Sequence, residues 1–125
     1  MVQQNNDSWQ MTTIRQLAES YDTFLFDCDG VIWLANEEIG HAFRAIEFLE
    51  AAGKQVFFVT NTASKTPAEC VAKMKSMGYS GAKLSHVYTM ASVAAKYITR
   101  EYPDVRKVFS IGMSAIRESL EAEGI

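Results

Sequence analysis

Apolar residues recur along this chain in two ways, as short unbroken runs and as helical repeats, and the two kinds follow one another in order. Residues 23–27 are aromatic and apolar, too short for a helix and closed by Gly30, which predicts a strand. Residues 55–60 contain Val56-Phe57-Phe58-Val59, apolar on both faces, and predict a second strand, buried on both sides in a parallel sheet. Between them Ala42, Phe43, Ile46 and Leu49 stand at helical spacing, predicting a helix over 40–52 with Gly53 at its C′ position. This strand–helix–strand unit spans about 35 residues, the length a right-handed crossover requires.

The remaining pattern extends the order to helix, strand, helix, strand, helix, helix, strand, helix. Thr13 to Gln16 resembles a capping box, and Ile14, Leu17 and Ala18 form a short apolar face ending near Ser20. Thr66-Pro67-Ala68-Glu69 joins an N-cap threonine, proline at N1 and glutamate at N3, with Val71, Met74 and Met77 as the apolar face and Gly78 as the stop. Residues 89–100 predict a helix carrying Val93, Ala94, Tyr97 and Ile98, broken by Glu101-Tyr102-Pro103-Asp104. Residues 107–111 predict a third strand, and 112–123 a last helix with Gly124-Ile125 as its exit. Residues 30–34 are strongly apolar yet sit between a turn signal and the polar Asn36-Glu37-Glu38.

Composition narrows the function classes. With 125 residues, the chain holds one modest domain or a domain plus a fragment. Lys plus Arg is 12 against 15 Asp plus Glu, a net charge of −3, and no basic cluster is longer than Arg106-Lys107, so nucleic acid is excluded as a partner. No apolar run approaches the roughly 20 residues that cross a bilayer, so no membrane role is expected. Residues 1–10 are polar, carry neither a secretory nor a transit pattern, and are read as a disordered lead, which leaves the cytoplasm as the default compartment. Two cysteines do not make a disulfide framework. Cys28 lies between two acids that raise its pKa, and a Cys-x5-Arg phosphatase loop would need arginine where Leu34 stands, so Cys28 is assigned to packing.

The chemistry concentrates where the first two strands end. An apolar strand closing on Asp27-Cys28-Asp29-Gly30 delivers two carboxylates to the rim of a parallel sheet, where ligands bind in open α/β folds. A carboxylate can attack phosphorus, and a neighbouring acid can protonate the leaving group and then activate water. Thr60-Asn61-Thr62-Ala63-Ser64-Lys65 follows the adjacent strand, and its hydroxyls, amide and main-chain N–H groups suit phosphoryl oxygens beside a helix N-terminus. Each segment alone is equally a turn or a cap; on two successive parallel strands they are far more specific. His41 and His86 lack metal-ligand spacing, Met74 and Met77 belong to a core, Trp9 is incidental, and Trp33 walls the site.

Together these segments resemble the haloacid dehalogenase superfamily of phosphatases. Phe26-Asp27-Cys28-Asp29-Gly30-Val31 is similar to its first motif, Val59-Thr60-Asn61-Thr62-Ala63-Ser64-Lys65 to its second, and residues 30–36 to the squiggle and flap that follow the nucleophile. The closer likeness is to the 4-nitrophenylphosphatase branch, which includes phosphoglycolate and pyridoxal phosphate phosphatases. Asp29-Gly30-Val31-Ile32-Trp33, Thr89-Met90-Ala91-Ser92 and Lys107-Val108-Phe109-Ser110-Ile111-Gly112 carry it, over about residues 21–125.

The resemblance implies an α/β fold: a Rossmann-like parallel sheet core, incomplete here, with the beginning of an α/β C2-type cap. Residues 1–20 would be the polar lead and first helix, 21–100 the N-terminal part of the core and 101–125 the start of the cap. It implies Asp27 as nucleophile, Asp29 as acid and base, and Mg²⁺ held by the Asp27 carboxylate and the Asp29 main-chain carbonyl. Thr60 and Asn61 would bind the phosphoryl group together with Thr62, which stands where the branch usually has asparagine. The family's later lysine and acidic motifs would follow the cap, beyond Ile125, so the chain reads as cut rather than finished.

The expectation is thus a Mg²⁺-dependent phosphomonoesterase acting on a small phosphorylated metabolite through an aspartyl-phosphate, here in a form lacking the later motifs. Apolar surface left by an unfinished sheet or cap would favour association between copies. The alternatives are a non-catalytic binding or assembly fragment keeping a half-site, and a metal-dependent sugar transferase, which leaves Thr60-Asn61 without a role.

Overall fold

A capping box opens the described part of the chain. The computed structural model describes residues 12–125, so the lead over 1–10 and Trp9 lie outside it. Thr13 Oγ1 accepts the Gln16 N–H while Gln16 Oε1 takes the Thr13 N–H, starting α1 (Ile14–Ser20). Next come β1 (Thr23–Phe26), a small hairpin of β2 (Trp33–Leu34) and β3 (Glu37–Glu38), α2 (Ala42–Ala51) and β4 (Gln55–Thr60). After them stand α3 (Pro67–Ser76), a 3-10 turn over Leu84–His86, β5 (Val87–Thr89), α4 (Met90–Glu101) and α5 (Ser114–Ala122).

The main sheet is parallel, in the order β1-β4-β5, with Phe26 opposite Phe58 and Thr60 opposite Thr89. This is the expected α/β architecture. The core fills one face. Val56 and Phe58 of β4 and Val87 of β5 are buried with Ile46 and Leu49 of α2 and Cys70 and Met74 of α3. Phe43 stacks on Tyr79 at 5.0 Å. Each fully buried large side chain contributes about 1.5–3 kcal/mol relative to exposure.

Two expectations need correction, and the inner face of α4 is a further finding. β4 is not buried on both faces among the described residues: Val56, Phe58 and Thr60 are buried while Val59 is exposed and Phe57 half-buried, and neighbouring Leu25 is 69% exposed. A run apolar on both sides does not by itself bring a second covering layer. The third strand is β5, not residues 107–111. The latter pair with no described strand and leave Phe109 91% and Ile111 89% exposed, because a strand exists only through the ladder it shares. The buried stripe of α4 is Ala91 and Ala95, whereas Val93 and Tyr97 face outward. Small residues let α4 approach β5 and α5 closely, so packing distance rather than hydrophobicity selects its inner face.

Candidate active site

Past β1 the chain coils round a single carbonyl. The Cys28 oxygen accepts N–H groups from Val31 (3.2 Å), Ile32 (2.9 Å) and Trp33 (3.2 Å). Gly30, at φ +82°, adopts a left-handed conformation costly for other residues and donates its N–H to the Trp33 carbonyl at 2.7 Å. The tight loop passes into the β2–β3 hairpin, where Trp33 pairs with Glu38 and Leu34 with Glu37, and Ile39 N–H closes it on the Ile32 carbonyl at 2.8 Å. The odd apolar segment 30–34 is therefore a coil and a flap strand, with Ile32 and Trp33 buried.

This coil aims the two acids differently. Asp27 follows β1 one residue past the Phe26–Phe58 pair and is exposed, with Oδ1 accepting the Cys28 N–H at 2.8 Å. Asp29, also exposed, is held through Oδ1 by the Trp33 indole Nε1–H at 2.7 Å. Trp33 is thus a partner of Asp29 rather than an open wall. Sequence reasoning missed that role, though the spacing of four residues across a glycine turn hints at it.

Cys28 turns inward and is fully buried. Burial pushes its thiol up to about 12, with the charges of Cys70, Asp27 and Asp29 adding and Lys73 opposing. Cys70 is raised as well, chiefly by burial. Both are free thiols, in keeping with a packing role.

The second segment leaves the same edge of the sheet from the adjacent strand. Thr60 is buried, and its Oγ1 accepts the Thr62 N–H at 3.3 Å, leaving the hydroxyl proton free to donate. Asn61 is exposed at the rim. Thr62 is half-buried. Its hydroxyl meets Ser64 Oγ at 2.9 Å, and its carbonyl accepts the Met90 N–H at 2.9 Å, tying the loop to the start of α4. Thr66 and Glu69 then cap α3 reciprocally, at 3.3 Å and 2.6 Å. The Thr66 N–H bond draws the exposed Glu69 carboxyl below its ordinary range. Lys65 is exposed. Asp27 and Thr60 thus stand at the same end of two adjacent parallel strands, with Asp29 in the loop after β1 and Asn61 and Thr62 in the loop that leads from β4 to α3.

His41 is exposed at the start of α2, and His86 Nδ1 lies 3.0 Å from the Val56 carbonyl, so neither histidine joins the acids. Asp27 and Asp29 offer the hard oxygen donors that Mg²⁺ takes. Among the described residues no group of three or more His, Cys, Asp or Glu forms that could hold a metal ion. A cavity of about 740 Å³ between α3, β5 and α5, lined by Pro67, Leu84, Tyr88, Lys96 and Glu118, includes neither acid.

The family described as haloacid dehalogenase-like hydrolase matches residues 24–125. Glycerol-3-phosphate phosphatase of Gallus gallus is 36% identical over 113 residues, covering 90% of this chain and 36% of its own. The 4-nitrophenylphosphatase of Schizosaccharomyces pombe is 32% identical over 113 residues, covering 89% and 38%. Among solved structures, glycerol phosphate phosphatase from Mycobacterium tuberculosis in complex with magnesium superposes with a TM-score of 0.74 at 26% identity, covering 86% of this chain and 32% of that one. The chain spans little more than a third of the length of the relatives it matches. It belongs to the haloacid dehalogenase-like hydrolase family, on the branch expected from its motifs.

Proposed function

As a haloacid dehalogenase-like hydrolase, this chain, we propose, carries the nucleophile half of a phosphomonoesterase active site for small phosphorylated metabolites. Asp27 attacks phosphorus, the phosphorus–oxygen bond to the leaving group breaks, and an aspartyl-phosphate forms. Asp29 gives its proton to the departing oxygen and then takes one from the water that hydrolyses the intermediate. Thr60, Asn61 and Thr62 hold the phosphoryl oxygens through hydroxyl, amide and main-chain donors. The observation carrying this reading is the common sheet edge: β1 and β4 run parallel in register, so Asp27 and Thr60 leave neighbouring strand ends.

Mg²⁺ would be held by the Asp27 carboxylate and the Asp29 main-chain carbonyl, and when bound it supplies positive charge against the phosphate. The relatives glycerol-3-phosphate phosphatase and 4-nitrophenylphosphatase, and the magnesium complex of a structural neighbour, support the substrate class and the metal. We assign residues 21–100 to the core and 101–125 to the start of the cap. A cytoplasmic location accords with two free, buried thiols, and no helix among the described residues is long and apolar enough to cross a membrane. A fluorescent fusion read by fractionation checks the location.

A second reading is a binding fragment that keeps half a site. Turnover of 4-nitrophenyl phosphate with Mg²⁺ separates the two. The phosphatase reading expects activity at the relatives' full length that Asp27→Asn abolishes; normal turnover in that variant would remove Asp27 as nucleophile.

A further inference from the structure

Trp33 is buried to 2% exposure, yet the only polar atom of its side chain serves an exposed carboxylate: Nε1–H donates to Asp29 Oδ1 at 2.7 Å. Its backbone is fixed from both sides, its N–H on the Cys28 carbonyl and its own carbonyl receiving the Gly30 N–H at 2.7 Å. From α3, Lys73 Nζ sits 4.6 Å from the ring centroid, within cation–π range. The indole is therefore locked by the flap strand at its backbone and by a helix cation at its face. An exposed aspartate would otherwise sample its rotamers freely; here one oxygen is anchored and the other is left open.

We propose that Trp33, its ring held by Lys73, is a positioning residue that fixes the Asp29 carboxyl so that its unbound oxygen faces the leaving group. This rests on the assignment of Asp29 as acid and base. Proton transfer depends on such placement, and the need is greatest when the leaving oxygen is a poor one. An alkyl phosphate such as glycerol 3-phosphate needs its leaving oxygen protonated, whereas 4-nitrophenolate departs with little help. Loss of position should therefore be selective between the two, which a general weakening of the fold is not.

The test has two arms. In the 125-residue chain, the ¹H–¹⁵N spectrum shows indole signals from Trp9 and Trp33 only. Asp29→Ala should move the Trp33 indole signal, assigned through a Trp9→Phe reference, and speed its hydrogen exchange. An unmoved Trp33 signal overturns the contact and the proposal with it. In a protein of the relatives' full length, Trp33→Phe keeps an aromatic ring and deletes the donor. It should lower kcat/KM about tenfold for glycerol 3-phosphate and less than about threefold for 4-nitrophenyl phosphate, with KM little changed. Lys73→Met keeps the indole donor but removes the cation that holds the ring, so it should shift the same ratio in the same direction, which covers the case of a Trp33→Phe protein that fails to fold. Equal losses on both substrates in the folded variants overturn the proposal. If Asp29→Ala is selective and the Trp33 and Lys73 variants are not, positioning fails and the acid–base assignment stands; if Asp29→Ala is itself unselective, the assignment of Asp29 fails.

Discussion

Removing the Cys28 thiol should abolish a defined part of the protein's alkaline instability. The side chain is fully buried, and its pKa rises from an ordinary 9.0 to about 12, first through burial and then through Cys70, Asp27 and Asp29. Unfolding returns the thiol to water and to its ordinary value. A folded pKa above the unfolded one gives stability that is whole below about pH 9 and is lost as the pH climbs towards about 12. At about pH 10 the unfolded thiol is mostly ionised while the folded one stays protonated, a difference on the order of 1 kcal/mol. Tyr79 is also raised, by burial and its bond to Glu50, but it is common to both proteins and cancels on comparison. Cys70 adds to the rise at Cys28, so Cys70→Ala and the double variant complete the cycle. Urea unfolding near pH 7.5 and near pH 10 reads the effect: wild type should lose on the order of 1 kcal/mol more than Cys28→Ala. The same pH dependence in both proteins would refute the claim that Cys28 is a neutral packing group, and would reopen thiol chemistry beside the two acids.

Asp27→Asn at the relatives' full length should lose turnover of 4-nitrophenyl phosphate while circular dichroism and unfolding midpoint stay at wild type. Thr66→Ala breaks the reciprocal cap of α3 and should cost about 1 kcal/mol in urea unfolding; an unchanged midpoint would count against that cap. Gly30→Ala meets no atom within 4 Å but must hold φ +82°, so a loss of about 1 kcal/mol or more is expected from backbone strain alone. Isothermal titration of the 125-residue chain with Mg²⁺ should show weak binding, since one carboxylate and one carbonyl hold a hard cation poorly; micromolar affinity would contradict this ligand set.

Local chemistry made much of the fold legible. Thr13 and Thr66 announced their helices because a capping box is written in four consecutive residues, and Gly53 and Gly78 sit at positive φ just past α2 and α3. The boundaries of β4 were readable because its apolar run ends at polar groups on both sides. What depends on neighbours was not. Val87-Tyr88-Thr89 is a strand only because β4 lies beside it, and Thr89 serves at once as last strand residue and helix cap, which hid the strand inside the helix signal. Val108-Phe109-Ser110-Ile111 has the pattern of a strand and no described partner. The acids and the Thr60 loop were legible as motifs. The indole clamp on Asp29 was not, since it arises from a coil round one carbonyl that no periodicity encodes.

Everything functional rests on covalent chemistry at one side chain. Borohydride quenching of a protein of the relatives' length during turnover reduces an acyl phosphate to the alcohol, and peptide mass spectrometry locates the residue converted to homoserine. Conversion at Asp27, absent without substrate, is the expected result; turnover that proceeds with Asp27 unmodified, or with another residue converted, contradicts the account.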